Sequence, residues 1–237
     1  MAFQKYPGTS RRHYSGTIIA TGDVTGFRGL EHFTVSVAAD GSRTLSCICE
    51  IPDRGLSKNI VYSVDREFRP IDCYVRLIKD GSLLGTGWFL FKGNKAEFEG
   101  FNLQDGRVSQ RVERDSLIPS FGPHPLVGDI LHLAAYDHES GEKVQFIDSY
   151  LSSLAHDGGT GPLLEAIRFG IEFLGEEEVT VPAGKFNTHH YRFHLEGALP
   201  QEHPLEELWC LPEDFVFVKI RVGGAAGTTY ELNELDY

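Results

Sequence analysis

Apolar and polar residues alternate along most of this chain, and each alternating run stops at Gly, Pro or an acidic cluster. A period of two predicts β-strands with one buried face. Such runs occupy 14–21, 31–38, 43–50, 59–65, 71–79, 82–91, 95–102 and 107–113. Asp40-Gly41 and Asp80-Gly81 supply hairpin turns between neighbours. The strands recur about every 8–12 residues, the spacing of an all-β sandwich or barrel. Residues 14–113 thus read as a first meander.

The period changes in the middle of the chain. Residues 118–137 carry three prolines, then Leu126, Ile130, Leu133 and Ala134 at helical spacing, which predicts a short helix over 125–135 opened by Pro125. A strand follows at 143–149, then a polar, Gly-rich loop at 152–160 and a helical turn over 161–170. Residues 168–174 fit a helix or a strand equally, and from Val179 the alternation resumes to the end. No 20–50-residue period repeats, and no Pro/Ser-rich linker divides the chain. The expected fold is a single mostly all-β domain, 1–237. Its antiparallel meander curls into a barrel or half-barrel around a helical plug (118–137), with a final meander over 143–237.

With 237 residues the chain is long enough to bury a core and still enclose a cavity. Its net charge of −12 argues against nucleic acid and disfavours anionic membranes. The first sixteen residues lack an apolar signal-peptide core, and no run reaches a membrane span, so a cytoplasmic location is expected. Cys47 and Cys49 point to one side of one strand, a poor geometry for a disulfide. They lack the second Cys/His pair of a zinc finger, so these two, Cys73 and Cys210 are expected as buried free thiols.

Against that acidic background, the final meander gathers cations: His190, Arg192 and His194, then Lys219 and Arg221. In 215–222 one face is aliphatic (Val216, Val218, Ile220, Val222) and is assigned to the core. The other, with Phe215, Phe217, Lys219 and Arg221, offers aromatics beside cations, suited to an aromatic anion. On a strand His190 and His194 lie about 13 Å apart, too far to share a metal. Trp88, which follows Gly85-Thr86-Gly87, is placed to meet Trp209 across a lumen, with core packing as the alternative for each. Tyr62, Tyr74 and Arg76 add polar positions to the first meander. Asp129 and His132 share one side of the helix near His124 and form a candidate proton shuttle. There is no nucleophile elbow, Walker loop or HExxH, and 223–227 reads as a Gly-rich loop between strands.

The last third also carries Val181-Pro182-Ala183-Gly184-Lys185-Phe186, then Trp209 with Pro212, Val218-Lys219 and Tyr230-Glu231-Leu232. These strand motifs resemble a widespread bacterial family of uncharacterised proteins. The resemblance implies a curled sheet similar to lipoprotein-carrier folds and a mostly exported membership, from which this chain departs in showing no signal peptide.

The residues predict a cofactor-independent lyase or isomerase acting by proton transfer on a small aromatic molecule. His190, Arg192, Lys219 and Arg221 would be catalytic; Trp88, Trp209, Phe217, Tyr62 and Arg76 would bind substrate, with no metal and homo-oligomers allowed. A lyase of lignin-derived phenylpropanoids, such as a phenylcoumaran γ-formaldehyde lyase, is one instance, which no motif here diagnoses. Two alternatives stay open: a non-catalytic carrier or sensor of a lipid or aromatic carboxylate, and a structural oligomerisation module.

Overall fold

A computed structural model describes residues 12–195, 197, 205–223 and 227–237. In chain order, β1 (Arg12–Gly22), β2 (Gly26–Val37), β3 (Arg43–Ile51), β4 (Leu56–Val64), β5 (Pro70–Lys79), β6 (Ser82–Lys92), β7 (Lys95–Asn102) and β8 (Gly106–Glu113) pair antiparallel, each with the next. After the short β9 (Phe121–Gly122), β10 (Val144–Leu151), β11 (Glu165–Val181), β12 (Gly184–His194), β13 (Glu206–Cys210), β14 (Phe217–Val222) and β15 (Thr228–Asp236) do the same. β15 then pairs with β1, so the two meanders fuse into one curled sheet of fifteen described strands.

Among the described residues the sheet does not close through a ladder. At the β8 end the Gln110 side-chain amide accepts the Leu164 N–H (2.8 Å) and donates to the Leu164 carbonyl (3.2 Å), standing in for a strand neighbour. The Arg114 guanidinium donates to the Asp148 carbonyl of β10 at 2.8 Å. Gly85 lets the loop at Gly161-Pro162 approach, since a Cβ there would sit 2.2 Å from the Gly161 oxygen. The close approach signalled by the glycines just before Trp88 is therefore the chain's own loop.

The concave side is filled by the segment between β8 and β10. Phe121 packs its ring against Tyr62, Phe89 and Phe91. Behind Pro125, α1 (Leu126–Asp129) runs into a 3-10 turn (Ile130–Ala135), and Val127, Ile130, Leu131, His132 and Leu133 are buried. This is the expected plug. All four cysteines are free and buried, and burial pushes Cys49 and Cys210 each up to about 12, which leaves them unreactive thiols at neutral pH.

Two local expectations are corrected. Residues 161–170 make no helical turn: from Glu165 they open the 17-residue β11, which also absorbs the ambiguous 168–174. Period alone cannot separate a short apolar helix from a strand covered on both faces. Here the ladders to β10 and β12 decide, with a bulge between Phe173 and Gly175 at φ +132°. β2 also begins at Gly26, earlier than the alternation suggests. Of the expected 223–227 loop, Gly224, Ala225 and Ala226 lie outside the described residues, as do residues 1–11.

Candidate ligand-binding cavity

Inside the curl lies a cavity of about 340 Å³. Inward-facing residues of successive strands wall it: Ile18 of β1, Ile167 and Phe169 of β11, Phe193 of β12, Leu208 of β13, Ile220 of β14 and Tyr230 of β15. The plug closes one side with Leu126, Asp129 and His132. The size falls within the range of about 300–1,000 Å³ typical of small-molecule pockets.

One wall is charged, and it is buried. Glu31 shares the inner face of β2 with Phe33 and Val35, and Lys58 shares that of β4 with Leu56, Ile60 and Tyr62. The Glu31 carboxylate accepts the N–H groups of Leu126 (3.0 Å) and Val127 (3.1 Å), satisfying donors that the start of α1 leaves open. The Lys58 ammonium donates to the Asp157 carbonyl at 3.0 Å and also to that of His124. Burial works against its charge, but Cys49, Glu31 and Asp129 together outweigh it and hold the ammonium above its ordinary value. Burial raises Glu31, against the two N–H bonds and Lys58.

Around this pair burial shifts the titratable groups of the plug toward their neutral forms. Burial lifts Asp129 to about 7, although it accepts the His124 N–H at 3.1 Å and feels Lys58. Burial and the nearby Lys58 charge push His124 down to about 4; its Nε2–H donates to the Ser153 carbonyl at 2.7 Å. His132 is lowered to about 3, by burial first and His124 second. Its proton position follows from a chain of bonds. The Ser149 hydroxyl donates to the Ser120 carbonyl (2.8 Å), so Ser120 Oγ–H donates to Ser149 Oγ (2.9 Å). Ser120 Oγ therefore accepts from His132 Nδ1–H at 2.7 Å, which leaves Nε2 a bare acceptor without a protein partner. On β13, Glu206 points inward with Leu208, and burial, then the Asp129 charge, raise it to about 8.

Among the described residues, none of the nine predicted site residues lines this cavity. Expecting the cationic row to face a lumen is corrected: the aliphatic face of β14 (Ile220, Val222) lines it, and the cations lie on the opposite face of the sheet. Register explains them. Glu172, Arg192, Glu207, Arg221 and Thr229 stand side by side across β11 to β15, and His190, Trp209, Lys219 and Glu231 make a parallel row. Opposite charges alternate along the first row, and in the second Lys219 stands opposite Glu231. Arg192 meets Glu207 at 2.7 Å, Lys219 meets Glu231 at 3.2 Å, and Arg221 pairs with Asp23. His190 stacks on Trp209 with ring centroids 4.2 Å apart, and Trp209 Nε1–H donates to Glu177 at 2.8 Å. Phe217 and Tyr62 are fully buried core residues, whereas Trp88 and Arg76 are exposed. Trp88 and Trp209 thus do not meet across a lumen.

The sequence does bring Asp129, His132 and His124 to the cavity. It misses Glu31, Lys58 and Glu206, although a charged residue in step with the apolar positions of a strand is the mark of a buried charge.

No family model matches the sequence, and no curated protein matches it significantly. Among solved structures, the chain is similar to a β-barrel-like protein of the domain of unknown function DUF1849 from Brucella abortus. The TM-score is 0.55 at 11% identity, over 94% of this chain and 96% of the other. Weaker likenesses are to an inferred exported protein with a YmcC-like fold from Bacteroides fragilis (TM-score 0.35, 11% identity, 95% of each chain) and an inferred lipoprotein from Parabacteroides distasonis (0.32, 11%, 93% and 95%). The expected lyase is corrected: His190, Arg192, Lys219 and Arg221, its proposed catalytic residues, lie outside the cavity. The expected cytoplasmic location is withdrawn. Among the described residues no helix is long and apolar enough to cross a membrane. The curled β-barrel-like fold is shared with the Brucella abortus protein.

Proposed function

We propose that this chain binds a small apolar molecule in the interior of its curled sheet and does not transform it, acting as a carrier or sensor. The observation that carries the reading is the cavity of about 340 Å³ walled by one inward apolar residue after another. A folded core this size normally fills itself, because voids forfeit dispersion contacts. The motifs at 181–186, 209–212, 218–219 and 230–232 support kinship with the curled-sheet bacterial family they resemble.

Titration with N-phenyl-1-naphthylamine, which fluoresces in apolar surroundings, tests it. The wild type should give a saturable signal, and Ala20→Phe, which fills the cavity from β1, should lose at least tenfold in affinity with an unchanged far-UV spectrum. No saturable signal, or equal binding by the filled variant, would defeat the reading.

A further inference from the structure

The mouth of the cavity lies at one end of the curl, where its exposed lining residues Glu50, Arg54 and His156 sit. The turns 23–25, 52–55, 80–81 and 103–105 belong to the same end. Among the described residues this rim gathers large apolar side chains that face water. Val24 is 81% and Leu103 64% exposed, and Phe27, Leu83 and Leu205 are exposed with them. At the opposite end the hairpin turns 38–42, 65–69, 93–94, 182–183 and 211–216 expose none, which leaves Ile71, Leu117 and the terminal Tyr237 outside them. Backbone bonds fix the rim turns in place. The Asp23 N–H donates to the Gly227 carbonyl at 2.9 Å, the Asp80 N–H to that of Gly55 at 2.8 Å, and the Leu103 N–H to that of Leu84 at 3.0 Å.

We infer that this rim docks on a zwitterionic lipid bilayer. Docking sets the mouth of the cavity against a store of apolar molecules, a role that rests on the binding reading above. The spacing of the tips favours a bilayer over a protein partner. Val24 and Leu103 sit on the β1–β2 and β7–β8 turns, and from β2 to β7 the sheet advances five strand spacings, roughly 24 Å. Between them the 52–55 turn is polar, Pro52-Asp53-Arg54-Gly55. Apolar tips held apart by a polar turn can each enter a fluid interface, whereas a rigid partner would need a matching pit for each. Charge selects the lipid. The four turns carry Asp23, Asp53, Asp80 and Asp105 against Arg54 alone, so an anionic surface is repelled and a zwitterionic one is not.

Val24→Cys and Leu103→Cys, each labelled with the environment-sensitive dye NBD, report contact, because the four native thiols are buried and stay unlabelled. Dye at either position should brighten at least twofold on addition of phosphatidylcholine vesicles, and dye at Ile48→Cys, on the outer face of β3, should not. Val24→Asp combined with Leu103→Asp should lower the fraction of protein floating with those vesicles at least fivefold. The same variant should keep wild-type affinity for N-phenyl-1-naphthylamine, since neither residue lines the cavity. Vesicles enriched in phosphatidylglycerol should float less of the wild type. No brightening at 24 and 103, equal brightening at 48, flotation unchanged in the double variant, or stronger flotation with phosphatidylglycerol overturns the inference and leaves the binding reading intact. So does a wild-type dimer in light scattering that the double variant disperses, which assigns the rim to a second copy. A wild type that floats with vesicles but gives no saturable fluorophore signal keeps the docking and defeats the binding reading instead.

Discussion

Replacing Asp129 by Asn isolates what a buried carboxyl does to this fold. Its pKa is raised from 3.8 to about 7 because burial penalises the carboxylate. The sign follows from linkage. A carboxyl whose folded pKa is raised favours the native state while protonated, and that advantage fades as pH rises through the folded value. Between pH 5 and pH 9 the native protein must surrender a proton that the unfolded chain has already lost, over about two pH units below the folded pKa. At roughly 1.4 kcal/mol per unit this is about 3 kcal/mol of stability lost on the alkaline side. The asparagine side chain has no acidic proton to surrender, and its amide oxygen still accepts the His124 N–H. Urea unfolding followed by far-UV circular dichroism at pH 5, 7 and 9 measures the difference. The variant should gain about 3 kcal/mol on wild type in going from pH 5 to pH 9. Glu206, raised to about 8, leaves part of the alkaline loss in both proteins. Parallel stability curves for the two proteins would refute a buried Asp129.

The acid side has the opposite cause. His132 is held near 3, so stability falls as pH drops below its unfolded value; His132→Phe, whose ring keeps the contacts with Phe169 and Phe193, should remove about 3 kcal/mol of the loss between pH 6.5 and 4 in the same unfolding assay. Gln110→Ala removes both bonds across the seam and should cost about 1–3 kcal/mol, with faster hydrogen exchange at the Leu164 amide. Lys219→Met breaks a part-exposed pair with Glu231 and a contact over the Trp209 ring at 5.8 Å, so it should cost about 1 kcal/mol and leave N-phenyl-1-naphthylamine affinity unchanged in side-by-side titrations.

The meanders and the plug were legible because each rests on local signals. Asp-Gly turns fix hairpin registers, and Pro125 marks where the helix begins. β11 was less legible, because its apolar run around Phe169–Ile171 is buried without alternation and only its ladders identify it. The site was misplaced for a topological reason. The face of β14 with Val218 and Ile220 was given to a core and the face with Lys219 and Arg221 to a lumen, but a single curled sheet has one interior, which core and cavity share. The cations then need only their cross-strand acids, and which acids these are depends on the order β12-β13-β14-β15 and the registers along it. The same logic, applied to strand parity, points to Glu31, Lys58 and Glu206 from sequence once the interior is known to be single.

Occupancy of the interior is most directly read from isoleucine methyl resonances. Ile18, Ile167 and Ile220 line the cavity, while Ile48 and Ile71 are 47% and 38% exposed. Titrating 1-octanol into protein carrying ¹³C-labelled isoleucine methyls should shift the first three saturably and leave Ile48 and Ile71 in place. Shifts confined to Ile48 and Ile71, or no saturable shift at any of the five, would contradict an interior binding site.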